Sequence, residues 1–85
     1  MWIAERGVQI VEFEYSKLRG RIIEKFGTIK AFAEAYGVTN VTMSNKLNGN
    51  VGISPEDIVK MSSPELLDIP PAEYHLYFFV IKVHI

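Results

Sequence analysis

Eighty-five residues without a cysteine, 48% of them apolar and nine of them Phe or Tyr, make one small domain held by a dense core. A disulfide framework and a thiolate metal site are excluded, which fits a reducing cytoplasm. Nine bases against ten acids leave a net charge of −1, so any nucleic-acid surface must be local and not spread over the whole chain.

The opening M-W-I-A-E-R-G lacks the basic start and apolar run of a signal peptide, and Glu5 interrupts it. No stretch approaches the roughly 18 apolar residues of a membrane span. From Val11 the chain alternates, with Val11, Phe13 and Tyr15 to one side and Glu12 and Glu14 to the other, a half-buried strand pattern. Ser16 is placed to cap a helix over residues 17–26 with Leu18, Ile22, Ile23 and Phe26 on its apolar face. Gly20 lies inside that helix at a cost of about 1 kcal/mol relative to alanine; it marks a close helix approach or is simply tolerated.

The run from Thr28 to Gly49, T-I-K-A-F-A-E-A-Y-G-V-T-N-V-T-M-S-N-K-L-N-G, reads as two short helices joined by a tight turn. Thr28 caps the first, and Ile29, Phe32, Ala33 and Tyr36 form its buried stripe. Gly37 follows the last helical residue, where a positive φ is usual, and Val38 plugs the corner. Thr39 caps a second helix, Asn40 to Leu47, with Met43 and Leu47 inward and Asn40, Val41, Ser44 and Asn45 on one outward face.

This segment resembles the helix-turn-helix of phage Cro and repressor proteins, with Ala33, Gly37 and Met43 at the expected offsets. The resemblance covers about Glu12 to Phe79 and extends to short phage proteins catalogued as a domain of unknown function. It implies a mainly α, lambda-repressor-like bundle of about five helices, and the strand patterns at the N- and C-terminal segments add a small β element by pairing with each other or with a second copy. The domain is 11–85, and residues 1–10 are an extension outside the resemblance. It further implies a DNA-binding transcriptional regulator whose second helix enters the major groove. Asn40, Val41, Ser44 and Asn45 would then read bases: asparagine suits adenine and Val41 a thymine methyl. Thr28 and Lys30 match the part that grips phosphate, with Thr42, Lys46 and Asn48 as further phosphate candidates. Ile29 stands where such motifs usually carry a phosphate-binding glutamine, and Lys46 takes an offset that is often apolar.

After the motif, Ser54-Pro55-Glu56-Asp57 is a capped helix start, and Ser63-Pro64-Glu65 repeats the signal nine residues on. A short helix then carries Tyr74, Tyr77 and Phe78 inward, and the tail F-F-V-I-K-V-H-I reads as a strand. By resemblance to Cro proteins, the tail's expected role is to pair a homodimer.

Charge agrees with either of two readings. Residues 15–50 hold six bases against two acids, a balance of +4, while the remainder stands at −5. A basic half flanked by acidic ends suits a DNA binder, and it equally describes a solvated helix surface. The expected partner is double-stranded DNA. The alternative is a protein-interaction module that keeps the helix-turn-helix as scaffold and uses the apolar tail for a partner. No enzyme, cofactor or metal site is expected: no phosphate-cradling glycine loop or nucleophile motif is present, and His75 and His84 stand alone.

Overall fold

The computed structural model describes residues 13–81, which form five α-helices: α1 (Ser16–Phe26), α2 (Ile29–Tyr36), α3 (Asn40–Leu47), α4 (Pro55–Met61) and α5 (Tyr74–Phe78). A 3-10 turn, Pro71–Glu73, leads into α5. No described helix is long and apolar enough to cross a membrane.

The first four helices each start on a local side-chain hydrogen bond. The start of α1 differs from expectation. Ser16 is the first helical residue, and the Glu14 carboxylate accepts both its N–H, at 2.7 Å, and its hydroxyl. A carboxylate suits that position, where it meets the positive end of the helix dipole. Leu18 and Ile22 are fully buried, while Ile23 turns outward and Phe26 is half-buried beside Phe32. At Gly20 a Cβ would meet nothing within 4 Å, so this glycine marks no close helix approach.

The next two helices match the sequence reading closely. The Thr28 hydroxyl accepts the Ala31 N–H at 3.0 Å, and the Thr39 hydroxyl accepts that of Thr42 at 3.1 Å. Between the helices lies a three-residue turn in which Gly37 adopts φ 102°, a conformation that strains any residue with a Cβ. Both Gly37 and Val38 donate to the Ala33 carbonyl, which closes the end of α2. Ala33 is fully buried where α2 meets α3, and Phe32, Tyr36, Met43 and Leu47 join it in the core.

A reciprocal cap starts α4: the Ser54 hydroxyl accepts the Asp57 N–H, and the Asp57 carboxylate accepts the Ser54 N–H. The second serine-proline-glutamate signal starts no helix. Residues 62–67 instead form turns closed by Ser63, whose carbonyl accepts the N–H groups of Leu66 and Asp68. The reversal seats Leu67 and Ile69 in the core and leaves Asp68 between them at φ 53°. Core burial of two side chains thus prevails over a local helix signal.

The two ends of the described residues meet at one antiparallel bridge, Phe13 to Ile81, beside a bond from the Glu14 N–H to the Val80 carbonyl at 2.7 Å. The expected small β element is not formed as a sheet among the described residues. A two-stranded ribbon is marginal without further strands, and α5 runs to Phe78, leaving little chain to pair before residue 81. The other residues expected in those strands, in 1–12 and 82–85, lie outside the described ones.

Candidate functional site

The outward face of α3 carries Asn40 and Val41 exposed and Ser44 and Asn45 half-buried. These four do share a face, as their spacing implies. The face is neutral and partly engaged: the Asn45 carbonyl accepts the N–H groups of Asn50 and Val51, and its side-chain oxygen lies 3.4 Å from the Asn50 amide.

The residues expected at phosphate are distributed differently. Lys30 is exposed, and Thr28 and Thr42 take part in the two caps already described, with the Thr39 hydroxyl also donating to that of Thr42 at 2.9 Å. Asn48 is exposed, and its side-chain oxygen accepts from Arg19. Lys46 is turned inward. Its ammonium sits 2.9 Å from the Asp57 carboxylate, and both side chains are only 14% exposed.

That pair belongs to a polar cluster tying three helices together. Asp57 accepts from Lys46 of α3, from the Tyr36 hydroxyl of α2 and from the N–H of Ser54 at the start of α4. Burial pushes the Asp57 carboxyl up, but the bonds from Tyr36, Lys46 and Ser54 together outweigh it and hold the pKa at about 2. Burial, and next the bond to Asp57, pushes the Tyr36 hydroxyl well above its ordinary range. Lys60 closes the cluster from outside, its ammonium 4.3 Å above the Tyr36 ring.

Other cations of the basic half are likewise committed within the fold. Arg19 donates to the Leu47 carbonyl at 3.1 Å, satisfying the C-terminal end of α3. Arg21 donates to the carbonyls of Leu67 and Asp68 at 2.9 and 3.0 Å and pairs with Glu24. Lys17 lies 5.2 Å over the Tyr77 ring. Half of the six cations read from the sequence, Arg19, Arg21 and Lys46, are thus internal bracing, while Lys17, Lys25 and Lys30 are exposed. Affinity for duplex DNA rests chiefly on lysine and arginine reaching phosphates, and the one cation of α3 faces a carboxylate.

A second surface forms where Phe13 meets the segment after α5. Phe13, Phe79 and Ile81 are 39%, 48% and 58% exposed. The two phenylalanine rings stack edge to face, 5.9 Å apart, and Ile81 is bridged to Phe13. Leu76, also partly exposed, stands one helical turn before Phe79. Beside Phe13 an open cleft of about 380 Å³ reaches Arg19, Leu47 and Asn48, so this apolar patch adjoins the end of α3. The sequence marked the tail as apolar; its stacking on Phe13 has no signature in either segment alone. The homodimer expected through the C-terminal strand falls in part on residues 82–85, outside the described ones.

Residues 11–80 match the family described as "Protein of unknown function (DUF739)". No curated protein matches the sequence. Among solved structures the chain is similar to the solution structure of the modulator of repression (MOR) of the temperate bacteriophage TP901-1 from Lactococcus lactis. The two are 40% identical, with 85% of this chain and 95% of that one covered and a TM-score of 0.71. These similarities support a phage regulatory protein but do not extend to the narrower Cro or repressor class. The similar protein is named for modulating repression, which corrects the expected function. The similarity does not support an operator-reading repressor and favours the alternative set beside it, a protein-interaction module.

Proposed function

We propose that this chain, which belongs to the DUF739 family, modulates repression in a phage by binding a protein of the repression machinery through its apolar terminal patch. The observation that carries this reading is the 40% identity to a modulator of repression over 95% of that protein's length. Two physical features support it. Of the two cations expected at phosphate, Lys46 is committed to Asp57 while Lys30 stays exposed, and the neighbouring Arg19 and Arg21 are bonded to backbone carbonyls. Phe13, Phe79 and Ile81 meanwhile present apolar surface of the kind that forms the core of protein interfaces. In this reading α2 and α3 are a lambda-repressor-like helix-turn-helix kept as scaffold, and the protein works in the cytoplasm.

The test is a reporter promoter under the phage's own repressor, measured in cells with and without this chain. Reporter output shifts only when the repressor is present, and the shift disappears in the Phe79→Ser, Ile81→Ser double variant. Both replaced side chains are about half exposed, so the variant remains folded by circular dichroism. A shift in cells lacking the repressor, or a folded double variant as active as the parent, refutes the proposal.

A further inference from the structure

We infer that a groove beside α4 is a second docking site, for a short extended segment of a protein partner carrying an apolar side chain next to lysine or arginine. Val59 of α4 is 63% exposed, and two open clefts meet at it. The smaller, about 390 Å³, is bounded by Pro55, Glu56 and Lys60. The larger, about 620 Å³, is walled by Pro64, Pro70, Pro71 and Tyr74. Tyr74 and Leu76 lie two residues apart on α5, hence about 160° around its axis, so this groove and the terminal patch face different ways.

The lining selects the occupant. Prolines have no N–H to offer, so Pro70 and Pro71 cannot pair with an added β-strand. What they and Tyr74 provide is flat apolar surface, which suits a segment in the extended polyproline conformation. Ser62 lines the larger cleft, is 5% exposed and has a hydroxyl with no hydrogen-bond partner among the described residues. That hydroxyl is closed off from solvent, so Ser62 forms part of the cleft floor and is no bonding partner for an occupant in this conformation.

Charge selects further. Glu56 lies at one end of the groove and Asp68 in the wall of the other, both exposed. The ammonium in the lining, that of Lys60, is drawn over the Tyr36 ring. Asp68 holds the left-handed φ of 53° under three restraints: the Ser63 carbonyl on its N–H, and Arg21 on its own carbonyl and that of Leu67. A residue pinned in an uncommon conformation at a cleft wall is a point to look for function. The carboxylates in the lining, Glu56 and Asp68, outnumber its one ammonium, so the groove attracts a cationic segment.

The test titrates the ¹⁵N-labelled full chain with a blocked decapeptide of proline, leucine and arginine, and with its counterpart carrying glutamate for arginine. The basic peptide shifts the amide signals of Val59, Ser63, Asp68 and Tyr74, and the acidic one does not. Asp68→Asn, which keeps the tolerance for positive φ while removing the charge, weakens the basic peptide about two- to fivefold. Val59→Ser, a surface change, weakens it as well. Shifts confined to Phe13, Phe79 and Ile81, equal binding of both peptides, or an unaltered affinity in the two variants overturns the proposal. So does the absence of any shift at millimolar peptide.

Discussion

Replacing Asp57 by asparagine should lower stability at pH 7 by about 2 kcal/mol. The carboxylate takes Lys46 at 2.9 Å, the Ser54 N–H at 3.0 Å and the Tyr36 hydroxyl. Its pKa of about 2, against an ordinary 3.8, measures how strongly the fold prefers the charged form. At about 1.36 kcal/mol per unit this comes to roughly 2.5 kcal/mol, reduced to about 2 for residual solvent at the pair. In a domain of this size that moves the melting temperature down by roughly 8–16 °C. The sign follows from the depressed value. The contribution is fully present above about pH 4 and is lost as pH falls toward 2, so parent and variant should converge there. Lys46→Met leaves the carboxylate without its cation and should also destabilise, while the double variant should cost less than the two single losses combined. Thermal melts by circular dichroism at pH 7, 4, 3 and 2 measure all of this. A variant melting within 2 °C of the parent at pH 7, or a gap unchanged at pH 2, would refute the reasoning.

Gly20→Ala should stabilise the chain by about 0.5–1 kcal/mol, read from urea midpoints, because the added methyl meets open space on a helix. Gly37→Ala should cost about 1–2 kcal/mol in the same assay, since φ 102° strains any side chain. Arg21→Met should cost about 1–2 kcal/mol by leaving the Leu67 and Asp68 carbonyls without their donor. In that variant the amide of Asp68, which bonds the Ser63 carbonyl, should exchange with solvent faster than in the parent.

What was legible in the residues is what depends on near neighbours. Thr28, Thr39 and Ser54 cap helices because the groups they bond lie three residues on, and Gly37 turns the chain because no other residue does so without strain. The core of α2 and α3 followed from helical spacing alone. Contacts across the fold were not legible. Lys46 and Asp57 are separated by eleven positions and a loop, so the lysine read as a surface cation. Arg19 and Arg21 counted toward a basic half, whereas their partners are carbonyls 28, 46 and 47 residues away, which carry no sequence mark. The second serine-proline-glutamate start failed for the same reason: burial of Leu67 and Ile69 outweighs local helix preference. The functional misreading follows from these errors. The spacing of two short helices suggested a DNA reader, and the bonds that hold Arg19, Arg21 and Lys46 within the fold leave no trace in that spacing.

Turning arginines and lysines inward also determines how such a protein is distributed in a cell. A chromosome is a vast reservoir of weak phosphate sites, and proteins with open cationic surfaces spend most of their time stored on it. Guanidinium groups already bonded to the protein's own carbonyls give that reservoir little to hold. In the proposed reading these groups add little to storage on the chromosome, and more of each pulse of synthesis stays available to the protein partner.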